Sequence, residues 1–265
     1  MPPSPRFNRP PLHPQPLAKL PLGAIRPHGW LKHQLDLMVD GMTGRLEEVS
    51  PFLGRQTGWY GCEHREKWEE QGWEEVPYWL RGFYSLAQLT GDKRLVAEAT
   101  RWVERMRDSQ DAEGYFGSPF NKRVTGKNGQ VLCDLWPNML MLDPILRHYE
   151  ATGAAWVVPF VRRFFEFCRD LPDEQFIPLI EQTAFGDWRP WLQVLRAGDM
   201  LPHIYWLYNQ TGDAWLLPLA TRFYRRIAPP QSEWLDHHVI NFTQRFAYPG
   251  LYATQSGAAR DRDLS

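Results

Sequence analysis

Leu89-Thr90-Gly91-Asp92 closes one amphipathic segment and opens the next, and the chain repeats this device three times. Thr152-Gly153, Thr211-Gly212 and Ser256-Gly257 come at intervals of 62, 59 and 45 residues. A glycine one step past a helix suits the left-handed conformation that ends it. An aspartate just beyond, Asp92 or Asp213, is placed to N-cap the following helix. The pattern downstream repeats as well. Nine residues past each threonine stand Ala99, Val161 and Ala220; twelve past stand Trp102, Phe164 and Phe223. A turn and an apolar face recurring together over such long periods mark a series of helical hairpins.

On either side of these turns the pattern predicts hairpins over 74–89 with 93–106, 134–151 with 155–171, and 199–210 with 214–227. An earlier helix opened by Pro27 carries Trp30, Leu31, Leu35, Leu37 and Met38. A last one starts near His238 and is expected to break at Pro249-Gly250. Pro159 and Pro218 each fall seven residues past their threonine, so the helices there start late or kink. Polar loops at 50–72 and 110–130 separate the elements, the second with room for a β-turn pair, and no strand run breaks the series. The fold class is all-α. Interhairpin segments of this length suit a toroid whose rim is built from loops, in preference to an open solenoid.

The chain has 265 residues and a net charge of −1, which disfavours a polyanionic partner such as nucleic acid. Thirteen Trp and fourteen Phe are the compositional excess; such rings fill cores between helices and also stack on sugars. Cys62, Cys133 and Cys168 are odd in number and widely spaced, as reduced, buried thiols are. Residues 1–19 form a Pro-rich arm, flexible or extended, and residues 20–265 the helical domain. With no apolar run of spanning length and no secretory signal, no membrane is expected and a cytoplasmic location is the default.

Several segments resemble glycoside hydrolase family 127, the β-L-arabinofuranosidase family. They are Leu20-Pro-Leu-Gly-Ala-Ile-Arg-Pro-His-Gly-Trp-Leu31, Gly72-Trp-Glu-Glu-Val-Pro-Tyr-Trp-Leu-Arg-Gly82, Leu89-Thr-Gly-Asp92, Asp134-Leu-Trp-Pro-Asn138, Arg196-Ala-Gly-Asp199, Trp206-Leu-Tyr-Asn-Gln-Thr-Gly-Asp213 and His238-Val-Ile-Asn241. Each is weak alone; their order is specific. The resemblance implies an (α/α)6 toroid, here incomplete, with about four of the six hairpins. It further implies retaining hydrolysis by a glutamate acid/base and a zinc-held cysteine nucleophile, the zinc also bound by a Glu-x-Cys pair and a further Cys. In family order these come after the His-x-x-Asn segment. The chain is therefore expected to be an N-terminal fragment, inactive alone, without a catalytic residue or zinc of its own. Glu166-Phe-Cys168 spells Glu-x-Cys but lies mid-helix, where i and i+2 diverge. Cys62-Glu63-His64 is a loop cluster short of the three or four converging ligands that zinc needs.

Glycoside recognition calls for polar side chains beside aromatic plates. Polar groups begin the inner helix of each hairpin: Trp73, Glu74 and Glu75; Asp134, Trp136 and Asn138; Arg196 and Asp199; and His238, Asn241 and Gln244, which fall along one helix face. Each set has a plain alternative, respectively dipole-favoured carboxylates, an N-cap over a packed indole, an ion pair closing a loop, and a solvated stripe. The family holds its furanose with several histidines. Only His238 matches here; the other positions read Asp, Asn or Arg, which points to a different subgroup or glycoside. The expected partner is an arabinofuranoside-like carbohydrate. The alternatives are a noncatalytic carbohydrate-binding remnant using Trp73, Trp136 and His238, or a helical scaffold for protein contacts. A polysaccharide lyase lacks a supporting Tyr/His/Arg constellation.

Overall fold

In the computed structural model the four Thr/Ser-Gly turns end their helices in one way. Gly91, Gly153, Gly212 and Gly257 are left-handed, with φ of 70°, 69°, 76° and 65°. Each donates its N–H to the carbonyl four residues back, on Ala87, Tyr149, Tyr208 and Ala253. The hydroxyls of Thr90, Thr152 and Thr211 donate to the carbonyls of Leu86, His148 and Leu207 at 2.8, 2.6 and 3.1 Å. The same hydroxyls accept the N–H of Asp92, Ala154 and Asp213; Ser256 accepts that of Ala258. Last-turn carbonyls have no donor within the helix, so glycine and hydroxyl share the work of supplying donors.

The structure describes residues 7–53, 57–61, 72–125, 129, 131–178, 189–227 and 239–263. The helices are α1 (Gly29–Asp40), α2 (Met42–Val49), α3 (Glu75–Thr90), α4 (Lys93–Asp108), α5 (Pro119–Lys122), α6 (Trp136–Thr152), α7 (Val157–Asp170), α8 (Arg189–Arg196), α9 (Leu201–Thr211), α10 (Leu216–Arg225), α11 (Val239–Arg245), α12 (Ala247–Ser256) and α13 (Ala259–Asp263). Strand β1 (Val124–Thr125) pairs antiparallel with β2 (Val131–Leu132), the turn pair of the 110–130 loop. The fold is all-α, and α3/α4, α6/α7 and α9/α10 lie where the spacing places hairpins. Among the described residues no helix is long and apolar enough to cross a membrane.

Proline decides where four of these helices start or stop. Helices α7 and α10 start late, so Pro159 and Pro218 fall in their first turns, where no N–H is needed. Asp92 caps α4 through Leu95 N–H at 2.9 Å; α10 instead begins after Trp215, with no side-chain cap. The break expected at Pro249-Gly250 falls earlier, at Phe246, between α11 and α12. A proline ring clashes with the carbonyl four residues back, here that of Arg245, and Pro249 itself fits the first turn of α12. The first helix starts at Gly29 rather than Pro27, because His28 is extended and takes the N-cap position.

The chain divides into two compact units. The first is built from α1 to α4, the segment to Asn121, and residues 137–164. Its tryptophans are mostly core. Trp79 stacks on Phe83 at 4.5 Å, meets Trp102 edge-on at 5.8 Å and donates to Thr43 O. Trp59 donates to Gly72 O at 2.8 Å, and Phe116 packs between Phe160 and Phe164. Gln88 donates to the Tyr84 hydroxyl, which is also hydrogen-bonded to His148 Nδ1 at 2.9 Å.

The second unit holds the described residues of 6–18, 122–136 and 165–265. Arg222 closes the end of α7, donating to the carbonyls of Cys168, Arg169 and Leu171 while lying 3.9 Å over the Phe176 ring. A cation there also complements the helix dipole. The Pro-rich arm is seated on this unit. Arg9 N–H donates to Asn209 Oδ1, Tyr208 to Pro10 O and His13 N–H to Thr254 O, with Leu12 buried beneath.

Gly91→Ala should cost about 1–2 kcal/mol from left-handed strain alone, since a Cβ there meets open space. Thr90→Val should cost about 1 kcal/mol through its hydrogen bonds; urea denaturation measures both. Burial holds His148 below its ordinary 6.5, despite the nearby Glu104 carboxylate and with Arg107 adding to the effect. Burial favours its neutral form. The stabilisation from His148 is therefore present above pH 6.5 and lost as pH falls through the lowered folded value. Denaturation midpoints from pH 7.5 down to 5 should fall in the parent and flatten in His148→Gln.

Candidate functional site

Helix α8 is buried at every described side chain. Leu192, Val194 and Leu195 are buried, and so are Gln193 and Arg196, at 0% and 3% exposure. The two polar residues are three apart and share one face. That face meets the start of α6. Gln193 Oε1 accepts Leu135 N–H at 3.0 Å, and the Arg196 guanidinium lies 5.3 Å over the Trp136 ring. Asp134 accepts Trp136 N–H at 3.1 Å, which holds the turn ahead of α6. From α11, Asn241 Oδ1 accepts Arg196 Nε at 2.9 Å. Asp134, Trp136, Arg196 and Asn241 thus come together in the second unit with Gln193, a residue that sequence reasoning missed.

Helix α11 is inverted relative to an ordinary surface helix. Val239 is 71% exposed and Phe242 51%, while Asn241 is 3% exposed. Its polar stripe is therefore not a solvated face. Gln244, three residues on, is half-buried with its Oε1 shielded and unpartnered. His238, the first member of the stripe, lies outside the described residues.

Arg196 and Asp199 do not pair with each other. The turn Ala197–Met200 carries Gly198, and the Tyr248 ring packs against it so closely that a Cβ would overlap the ring. The Tyr248 hydroxyl then donates to Asp199 Oδ1 at 2.8 Å, while Trp136 and Asn241 hold Arg196. Burial, reinforced by the Asp199 carboxylate, raises the Tyr248 pKa, so the hydroxyl stays a donor.

The remaining candidates belong to the first unit. Trp73 is buried, and its carbonyl accepts from Trp59 Nε1. Glu74 takes the N-cap position of α3 without a side-chain cap, and Glu75 lies in the first turn, both placed to favour the helix dipole. Asn138 is buried; its Nδ2 donates to Phe116 O at 2.8 Å and its Oδ1 has no partner.

The family described as beta-L-arabinofuranosidase, GH127 catalytic domain, matches residues 54–243. The chain belongs to this family. That match covers the described elements from α3 to α10 and most of α11, hence every member of the buried cluster. The function of a family 127 domain is of the glycoside hydrolase kind, and its substrate is a carbohydrate. No curated protein and no solved structure matches the chain.

The zinc that the family 127 resemblance implies does not fit the described residues. Cys168 is fully buried in α7, and burial pushes its thiol well above the ordinary value although Arg222 acts in the opposite sense. Glu166 lies about 200° around the same helix. Among the described residues no three His, Cys, Asp or Glu side chains converge as zinc requires. Cys62-Glu63-His64 lies outside the described residues.

Gly198→Ala should destabilise the second unit by about 1–3 kcal/mol through overpacking against Tyr248. Tyr248→Phe should cost about 1–3 kcal/mol, as Asp199 loses a donor. Thermal melts tracked in the near-ultraviolet test both.

Proposed function

We propose that this chain supplies the sugar-holding face of a glycoside hydrolase acting on L-arabinofuranosides or a related plant-derived glycoside. The observation that carries the reading is the buried polar cluster of the second unit. Evolution of a stable core would favour apolar groups at such positions, because a buried charge lacking full compensation is strongly unfavourable. A cluster kept polar against an indole, in a carbohydrate-cleaving family, has the composition of a sugar site: a few convergent polar groups beside an aromatic plate.

In this reading Gln193 and Arg196 bind and orient the ligand, Asn241 fixes the guanidinium, and Trp136 shields it from water. No proton transfer or bond-making step is assigned to them. The acid/base and nucleophile of the retaining reaction implied by the resemblance are assigned to none of the described residues. Zinc would supply thiolate activation, with ligands outside this set.

Titrating the purified chain with a panel of plant-derived methyl glycosides, read by Trp fluorescence, tests the reading. The expected result is saturable binding by at least one glycoside, weakened about tenfold or more in Asn241→Ala, with no reducing sugar released. Absence of binding across the panel overturns it. Release of sugar that depends on residues of this chain overturns the assignment of a purely binding role.

A further inference from the structure

The cluster on α8 carries more free donors than acceptors. Arg196 Nη1 is shielded from solvent and has no partner, and the same holds for Gln193 Nε2. Both belong to side chains more than nine-tenths buried, whose other atoms meet the segment 134–136: Gln193 Oε1 at Leu135 N–H and the Arg196 guanidinium over Trp136. Among the described residues no carboxylate pairs with Arg196. Asp134 Oδ1 accepts Trp136 N–H, and Asp199 accepts from Tyr248.

A guanidinium cannot shed its proton inside a protein, so this charge cannot be relieved by neutralisation. A sugar hydroxyl would satisfy one N–H and leave the charge as it is. A carboxylate would do both. Asn241 occupies Nε, which blocks side-on pairing and leaves the Nη end of the fork for two carboxylate oxygens. Gln193 Nε2 stands on the same helix face to offer a further hydrogen bond.

We propose that this cluster recognises a carboxylate carried by the sugar, so that the substrate is an acidic, uronate-type glycoside. The proposal rests on the carbohydrate reading of the same site and narrows it. A site built to bind a charged partner rejects the uncharged analogue, because its own buried donors are then left unpaired.

The test uses the full 265-residue chain and three kinds of probe: methyl glucuronoside and galacturonoside, the C6 carboxamide of each, and methyl β-L-arabinofuranoside. Dissociation constants come from calorimetry. An acid binding at least tenfold tighter than its own carboxamide is expected, with the preference abolished in Arg196→Gln and reduced several-fold in Gln193→Leu. If acid and carboxamide bind equally, or only the neutral arabinofuranoside binds, the carboxylate assignment is overturned and the carbohydrate reading stands. If no sugar binds, both fall. Should either variant fail to fold, the comparison of acid with carboxamide on the unaltered chain decides the matter.

Discussion

An α-helix reaches its C-terminus with carbonyl groups that no N–H of its own can reach, and buried ends tolerate no vacancy. Five of the described helix ends show how that constraint is met. Four helices end on a left-handed glycine preceded by a hydroxyl, and the fifth, α7, is closed by Arg222 reaching across from α10. Each glycine closure sets the register of the helix that comes after it. Ala99 and Trp102, Val161 and Phe164, and Ala220 and Phe223 are buried because each lies a set distance beyond such an end. The aromatic core of the first unit and the seat of the arm on the second both depend on those ends being fixed.

Amid this ordinary helical packing, α8 and α11 stand apart. Gln193, Arg196 and Asn241 face inward, and α11 shows its apolar residues to solvent. A fold optimised only for stability would reverse this arrangement. Asn241 holding a guanidinium, with an indole beneath it, confers definite geometry on groups that water would otherwise disperse. That geometry is what ligand recognition requires of a preformed site.

The hairpins were legible because turn chemistry is local: Thr-Gly needs nothing beyond its own helix to close it. Pro249 was harder to read, since the residue that breaks the helix is not the residue where the break occurs. Its ring acts on the carbonyl of Arg245. The site was legible where polar residues open a helix, as with Asp134 ahead of α6; Arg196, expected to begin an inner helix, instead ends α8. Gln193 escaped because it sits among Leu192, Val194 and Leu195, and only the three-residue step to Arg196 signalled a shared face. The pairing of Arg196 with Asn241, and of Asp199 with Tyr248, joins residues 45 and 49 apart and so could not be read from neighbouring positions.

The seating of the arm bears on how the chain is synthesised. Residues 9, 10 and 13 bond to partners at 209, 208 and 254, so this segment leaves the ribosome well before the residues that seat it. Closing a loop of about two hundred residues adds little entropy beyond that of a shorter loop, but it imposes a wait. During that wait a proline-rich segment is well suited to remain extended, because its prolines lack the N–H groups that a premature helix or sheet would need.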